Sequence, residues 1–158
     1  MKVVFDIDGT LANLDHRLHF IQPEAGEKKN WDGFYAACGD DTPIPQTVKL
    51  CQELILAGHT VEFWTGRREA ERDATVEWLN KHVVGREIYL NLLAHRYEYE
   101  GITLKMRKDG DRRPDYIIKM EFIDPLNPPD IIFEDRSTVV RAYRERGLTV
   151  FQVAEGDF

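Results

Sequence analysis

The sequence lacks several features that mark common classes of protein. It contains only two cysteines, Cys38 and Cys51, which do not form a metal-spaced pair, so we expect two small core residues in a reduced, cytoplasmic protein. No apolar run approaches the roughly 20 residues that span a bilayer. The N-terminus enters a predicted strand directly rather than through a signal peptide, and there is no internal repeat. We therefore expect no membrane partner.

An excess of basic residues is also missing. The formal net charge is -7 for 158 residues, so no overall positive surface would draw the chain to nucleic acid or to an anionic membrane. A nucleic-acid function would have to depend on a local basic patch or on short ends. The length suffices for a substantial core, and we expect a single domain over residues 1–158.

The most informative segment that is present lies at the start of the chain. The apolar run 3–5 is followed by Asp6, Asp8, Gly9 and Thr10, which is typical of a buried parallel strand with a tight exit turn at glycine. The two acids would then lie at the carboxyl edge of a sheet, where open α/β folds bind ligands. Carboxylates this close repel each other, so the site requires a cation or a proton.

Strand and helix patterns alternate along the rest of the chain. Strands are predicted at 2–6, 60–64, 88–93, 131–133 and 149–153, and helices at 45–57, 69–82, 115–122 and 137–146. The segment 14–45 is predicted to be a small, partly helical cap-like insert over the strand ends, and 95–111 a hairpin or loop. The alternation predicts an α/β fold, with a parallel sheet, helices on both faces and right-handed crossovers.

Polar groups follow three of these strands, and a lysine precedes one of them. Each motif alone has an ordinary explanation, because acids before a helix are common caps, Thr-Gly-Arg is a common turn and helix lysines are mostly solvated. Their joint occurrence at one sheet edge favours a functional site. The set comprises Asp6, Asp8, Thr65, Gly66, Arg67, Lys119, Glu134 and Asp135.

The carboxylates of this set suit a magnesium ion. Asp6, Asp135 and Glu134 offer the hard oxygen ligands that Mg²⁺ prefers. Asp8 is included in the predicted ligand set as the second acid of the same strand end. The expected cofactor is therefore Mg²⁺.

The same residues also suit phosphoryl transfer. Asp6 could attack phosphorus and form an acyl-phosphate, while Asp8 could protonate the leaving oxygen and then activate water. Thr65 and Gly66 could donate hydrogen bonds to an anionic oxygen, and Lys119 could balance the charge of the phosphoryl group or the nucleophile. Positioning and electrostatics supply most of the rate in such reactions.

This ordered set resembles the four motifs of the haloacid dehalogenase superfamily of phosphohydrolases, and the resemblance covers the whole chain. It implies a Rossmann-like core, magnesium dependence, Asp6 as nucleophile and Asp8 as general acid and base. The fourth motif is commonly Asp-Asp, whereas Glu134 stands first here. We expect Asp135 to reach the metal directly, and Glu134 directly or through water. An acid at position 8 favours phosphate over halide chemistry.

The segments 6–17, 110–119, 133–140 and 152–158 resemble, more narrowly, the 3'-phosphatase domains of phage polynucleotide kinases. By that likeness Arg17 and Arg67 would bind the phosphate and Asp115 would support the catalytic lysine, with Arg113 as a further substrate-binding residue. No Gly-x-x-x-x-Gly-Lys-Ser/Thr loop occurs, so a kinase or ligase would be a separate partner. The segment 14–45 is longer than its counterpart, so cap contacts cannot be transferred.

Two further features bear on a nucleotide substrate. Six basic residues against three acidic ones between 105 and 119 could bind a phosphodiester, or could form an ordinary solvated loop. Trp31, Phe34, Tyr35 and Tyr97 could stack on a base, although core or cap packing is the favoured interpretation. His16 and His19 are assigned to packing or surface roles.

The leading hypothesis is a magnesium-dependent phosphomonoesterase that removes 3'-phosphates from nucleic-acid ends or nucleotides, in DNA or RNA repair, and in the host cytoplasm if the chain is from a phage. A 5'-nucleotidase that acts on free mononucleotides is an alternative within the same class. A catalytically silent module that binds nucleotides or ends is an alternative from another class.

Overall fold

The computed structural model describes residues 1–85 and 102–156. The strands are β1 Lys2–Phe5, β2 Ala12–Asn13, β3 Thr42–Pro43, β4 Thr60–Arg68, β5 Ile102–Arg107, β6 Ile131–Arg136 and β7 Val150–Gly156. The α-helices are α1 Trp31–Ala36, α2 Pro45–Leu56, α3 Arg72–Leu79, α4 Asp115–Glu121 and α5 Ser137–Glu145. None of these helices has the length and apolar character that crossing a bilayer requires.

Five strands form one parallel sheet in the order β5-β4-β1-β6-β7. The predicted Rossmann-like α/β fold is confirmed. Because every strand runs in the same direction, the carboxyl ends of β1, β4 and β6 meet at one edge. The central position of β1 puts the first two acids of the chain between the ends of β4 and β6.

Helices cover both faces of this sheet. Alternate side chains of a strand point to opposite faces, so Val3 and Phe5 pack under α2 and α3, whereas Val4 packs with Ile132 and residues of α5 on the other face. A strand buried on both sides needs a continuous apolar run. This explains the absence of alternation in the first residues of the chain.

The strands that carry the site extend further than the sequence indicates. β4 continues through Thr65 to Arg68, and β6 continues through Glu134 to Arg136. Each has a register irregularity near its end, which lets pairing resume beyond the polar residues and bends the strand locally. The prediction that both strands stop before these motifs is therefore wrong.

The predicted helix 69–82 is also less regular than expected. It begins with a 3₁₀ turn at Glu69–Glu71 and ends with a π-helical turn at Asn80–Val84, on either side of α3. By contrast, α2 and α5 agree with the predicted helices to within a residue or two. Gly58 follows α2 in the predicted left-handed conformation, with a φ of 79°.

The segment predicted as a hairpin or loop contains β5, an edge strand that pairs in parallel with β4. That prediction is wrong for residues 102–107. The predicted strand 88–93 and residues 95–101, which include Tyr97, lie outside the described residues, as do the last two residues of the predicted C-terminal match.

Residues 14–45 contain two 3₁₀ turns, Asp15–Phe20 and Ala37–Asp40, together with α1 and β3. Leu14, Ile21 and Phe34 form a small apolar cluster of their own. The interpretation of this segment as a cap-like insert within a single domain stays a prediction.

Candidate active site

A buried lysine joins three carboxylates at the sheet edge. The Lys119 Nζ atom on α4 lies 2.6 Å from Asp6 Oδ1 and 2.7 Å from Glu134 Oε2. Asp115, one helical turn earlier on the same face of α4, places its Oδ2 atom 3.3 Å from the same nitrogen. Residues that are distant in sequence thus surround one cation, as the strand-end motifs predict.

Asp135 completes this group and differs from its neighbours. Its Oδ1 atom is buried and accepts no hydrogen bond within the described residues. A Cβ atom at Gly9 or Gly156 would lie 2.2 or 2.1 Å from Asp135 Oδ2, so backbone presses on this carboxylate from two sides and only glycine fits there. A buried carboxylate confined in this way, with one oxygen that accepts no hydrogen bond from the described residues, has the character of a cation ligand.

The donor set fits a hard divalent ion. Carboxylate oxygens of Asp6, Glu134 and Asp135 lie within 4.8 Å of one another, which suits Mg²⁺. Glu134 already uses Oε2 for Lys119 and Oε1 for the Arg136 amide, whereas Asp135 Oδ1 is unengaged by the described residues. This difference agrees with the expectation that Asp135 is the direct ligand. A bound Mg²⁺ would neutralise the acids and polarise a phosphoryl oxygen.

Burial and mutual repulsion perturb these acids. Burial raises the pKa of Asp6 well above its usual value, with the negative charge of Glu134 adding to the effect. Burial likewise raises the pKa of Glu134 and of Asp135 to about 7. Burial opposes the charge of Lys119, but the surrounding carboxylates, Asp115 and Asp6 foremost, raise the pKa of Lys119 well above its usual value.

In metal-free protein, the raised pKa values of Asp6, Glu134 and Asp135 predict that stability falls as pH rises. Between about pH 4 and pH 7 the folded state holds more protons at these acids than the unfolded state does. Asp8 and Asp115, whose pKa values are lowered, contribute stability that is lost only at lower pH. Urea unfolding in chelator should show the decline, and added Mg²⁺ should remove it. Stability that rises across this window would contradict the prediction.

A second ionic network holds Asp8. Its Oδ1 atom accepts hydrogen bonds from Arg17 Nη2 at 2.6 Å and from Arg67 Nη2 at 2.7 Å. Both guanidinium groups also donate to Asp41, through Arg17 Nη2 at 2.6 Å and Arg67 Nη2 at 2.7 Å. Burial opposes ionisation of Asp8, but Arg67 and Arg17 hold the pKa of Asp8 well below its usual range.

This network defines what Arg17 and Arg67 do in the free protein. Both side chains are 0% exposed. Their Nε and Nη2 atoms donate to the two aspartates, and their Nη1 atoms donate to the Phe34 carbonyl and the Thr75 hydroxyl. They orient Asp8 and keep it ionised, and their role as phosphate ligands stays a prediction. Asp8 directs its carboxylate to the arginines, outside the group of acids that could share a cation, and its assignment as a metal ligand also stays a prediction.

Asp41 is a member of this network that sequence reasoning missed. Its carboxylate is completely buried, and besides the two arginines it lies 2.8 Å from His16 Nε2. The Trp78 indole donates to the Asp41 carbonyl at 2.7 Å. No motif surrounds Asp41, because it lies in the irregular segment before β3.

Replacing Asp41 by Asn is expected to destabilise the fold by about 3–5 kcal/mol, because it removes one of the two carboxylates that balance two buried guanidinium groups. Chemical denaturation measures this cost. The matched control is Asp40→Asn, since Asp40 is exposed and adjacent in sequence. Equal stability of the two variants would show that the network is not structurally important.

The remaining predicted residues lie along the same edge. Thr65 is buried, and its hydroxyl accepts a hydrogen bond from the Arg67 amide at 3.2 Å. A Cβ at Gly66 would lie 2.4 Å from Asp115 Oδ1, so glycine is needed there. Arg113 is tied to Asp111 and Glu121 by exposed ion pairs, and its substrate-binding role stays a prediction.

Two further arginines line the cavity. Arg107 belongs to the basic run 105–119 that was expected near the site, whereas Arg136 was not assigned to the site from the sequence. Arg107 donates to the Gly66 carbonyl at 2.9 Å and lies 3.3 Å from Asp115 Oδ1. Arg136 approaches the other oxygen of Asp115 at 3.6 Å. The position of Arg136 directly after the acid pair, on the same strand, was the available clue.

These residues surround a cavity of about 660 Å³. Buried acids and Lys119 form its floor, Arg107 and Arg136 lie on its wall, and aromatic residues of α1 lie at its side. The volume falls within the usual range of small-molecule sites, about 300–1,000 Å³. The arrangement suits an anionic ligand whose charged end reaches the floor.

A parallel sheet with a buried lysine and convergent acids at its carboxyl edge defines a phosphatase of the haloacid dehalogenase superfamily. The chain belongs to the family of polynucleotide kinase PNKP phosphatase domains, which it matches over residues 1–158.

Solved structures agree with this assignment. A chain in the structure of a Pnkp1/Rnl/Hen1 complex has 27% sequence identity and a TM-score of 0.68, over 99% of this chain and 47% of that one. A chain of a Pnkp1/Rnl/Hen1 RNA repair complex has 26% identity and a TM-score of 0.69, over 99% and 43%. This chain therefore spans less than half the length of those relatives.

A more distant neighbour is the class C acid phosphatase from Bacillus anthracis. In its tungstate-bound structure it has 13% identity and a TM-score of 0.61, over 99% of this chain and 67% of that one. At this identity the likeness supports the fold alone.

Proposed function

We propose that this phosphatase removes 3'-phosphates from nucleic-acid ends or nucleotides, with Mg²⁺ as cofactor and Asp6 as nucleophile. The observation that carries the proposal is the Asp6 carboxylate, which shares Lys119 with Glu134 beside an oxygen of Asp135 that has no hydrogen-bond partner in the described part of the chain. Family membership supports the 3'-phosphate ester as the substrate group whose P–O bond is cleaved.

Asp6 and Asp8 divide the chemistry between them. A carboxylate oxygen of Asp6 attacks phosphorus, the bond to the 3'-oxygen breaks, and Asp8 gives that oxygen its proton. Water then attacks the aspartyl-phosphate and yields its proton to Asp8, which releases inorganic phosphate and regenerates Asp6. Lys119 balances negative charge at Asp6 throughout.

The ionised state of Asp8 in the free protein fits this cycle. Its two arginines keep it charged and oriented, which is the form needed to accept a proton from water. An incoming phosphate places negative charge nearby and so raises the pKa of Asp8. Asp8 can then take up the proton that it donates in the first step.

The cavity wall supports a substrate larger than phosphate alone. Arg136 lies beside the acid cluster and Arg112 also lines the cavity, where they can bind a phosphodiester or a second charged group. Because the chain carries a net charge of -7, this local patch must provide the attraction that an overall basic surface would otherwise give.

The relatives also support a role in end repair. Their structures are described as Pnkp1/Rnl/Hen1 complexes, one of them an RNA repair complex. We propose by analogy that this domain acts with a separate ligase activity, which uses the 3'-hydroxyl end it produces, or with a separate kinase activity that phosphorylates 5'-hydroxyl ends.

Phosphate release tests the substrate class. A 3'-phosphorylated oligonucleotide and 5'-mononucleotides are compared with Mg²⁺ and with chelator. We expect the highest kcat/KM on the 3'-phosphorylated oligonucleotide, and no turnover in chelator. A clear preference for 5'-mononucleotides would instead assign a 5'-nucleotidase, and binding without turnover would indicate a silent module.

A further inference from the structure

The aromatic residues of α1 fall into two groups. Phe34 is 3% exposed and packs with Leu14 and Ile21. Trp31 is 43% exposed, and it lines the cavity together with the half-buried Tyr35. Phe34 and Tyr35 therefore serve both the apolar cluster and the cavity lining, while Trp31 is the most exposed of the three rings that line the cavity with the catalytic acids.

Trp31 and Tyr35 lie next to each other, and a cation lies close to each ring. Their ring centroids lie 6.0 Å apart with an interplanar angle of 27°. The Arg68 guanidinium lies 4.8 Å from the Tyr35 centroid, and Lys29 Nζ lies 5.5 Å from the Trp31 centroid. Such cation–π contacts keep the rings in place and leave polar groups beside them for a phosphate or sugar.

Ion pairs connect α1, which carries Trp31 and Tyr35, to the sheet. Arg68 at the end of β4 is bound to Asp32 on α1 at 2.6 Å and to Glu71 at 2.7 Å. Arg68 therefore connects the segment that carries the rings to the strand that carries Thr65. The rings have a fixed position relative to the catalytic floor, which a specificity site requires.

The lining of the cavity also includes a loop with two arginines. Arg112 and Arg113 lie there, between Gly110 and Pro114. A ligand with a phosphate beside the buried acids would have aromatic rings and arginines of this loop within the same cavity. Flat aromatic heterocycles attached to a sugar phosphate match this arrangement, because every nucleobase has a π-face.

We propose that Trp31 and Tyr35 form a nucleobase-binding wall, on which the base of the nucleotide that bears the scissile phosphate stacks. The proposal rests on the proposed function for the position of that phosphate. Stacking of one base on an aromatic side chain is expected to improve affinity about tenfold or more.

Two oligonucleotides that differ only in the terminal base test the wall. One ends in a normal 3'-phosphorylated nucleotide and the other in an abasic 3'-phosphorylated residue. We expect wild type to favour the first about tenfold, mainly through KM, and Trp31→Leu to lose most of that preference. Trp31→Phe keeps a ring and should retain part of it. Phe151→Leu, which removes a 53% exposed aromatic outside the cavity lining, is the control and should keep the preference.

A uniform loss of kcat/KM on both oligonucleotides in Trp31→Leu would mean that the indole only supports α1, and this outcome overturns the proposal. The proposal also fails if wild type treats the two substrates alike. In either case, turnover of both 3'-phosphates by wild type would leave the proposed function intact.

Fluorescence tests the wall without turnover. Trp64 and Trp78 are buried, so a nucleotide in the cavity should quench mainly Trp31. In Asp6→Asn protein we expect saturable quenching by a nucleoside 3'-monophosphate, less quenching by deoxyribose phosphate, and little response when Trp31→Phe is added. Absence of nucleotide quenching overturns the proposal, whichever phosphate ester the enzyme hydrolyses.

Discussion

Asp6→Asn is expected to lower kcat by roughly a thousandfold or more while the protein stays folded. The amide cannot attack phosphorus, but its oxygen can still accept the hydrogen bond from Lys119 that Asp6 Oδ1 accepts now. Because burial and Glu134 raise the pKa of Asp6, a neutral side chain also relieves repulsion in the metal-free state. Phosphate release and thermal unfolding together measure both effects, and Tm in chelator should be unchanged or higher.

The matched control is Asp73→Asn, which makes the same substitution at an exposed position in the first turn of α3. It should retain wild-type turnover. If Asp6→Asn kept a substantial part of the activity, or if both variants lost activity equally, Asp6 would not be the nucleophile.

Lys119→Met is expected to be strongly destabilising, with a cost of about 3–5 kcal/mol near neutral pH. Lys119 is 2% exposed and faces Asp6, Glu134 and Asp115, so its loss leaves three buried carboxylates without their shared cation. Protonation of these acids relieves the repulsion, and the cost should therefore shrink as the pH falls from about 8 to about 5. Denaturant unfolding at the two pH values measures it.

Lys49→Met serves as the control for the loss of a lysine. Lys49 forms an exposed ion pair with Glu53 on α2, and pairs of this kind contribute only a few tenths of a kcal/mol. If Lys119→Met cost no more than Lys49→Met, or if its cost were independent of pH, the acids would not depend on the lysine for compensation.

The sequence predicts those parts of the site whose positions follow directly from the parallel sheet. Asp6, Lys119 and Glu134 meet because parallel strands bring their carboxyl ends to one edge. This inference does not depend on where each strand stops, so it held even though β4 and β6 extend past the predicted ends.

The parts that could not be predicted depend on contacts between distant segments. Asp41 has no motif around it, and its importance appears only when Arg17 and Arg67 approach it from other elements. β5 is a strand because β4 pairs with it, and β4 lies more than thirty residues earlier in the chain. A local sequence pattern reveals neither the ion pairs of Asp41 nor the pairing of β5 with β4, because both are contacts between distant segments.

The most direct test of the site is a search for the covalent intermediate. Wild-type protein is mixed with a 3'-phosphorylated oligonucleotide and Mg²⁺, quenched in acid within the first turnover, digested and analysed by mass spectrometry. One phosphoryl group is expected on the peptide that contains Asp6, and none when Mg²⁺ is replaced by chelator or when Asp6→Asn is used. A phosphoryl group on a different residue, or rapid turnover with Asp6 never modified, would contradict the assignment of Asp6 as the attacking group.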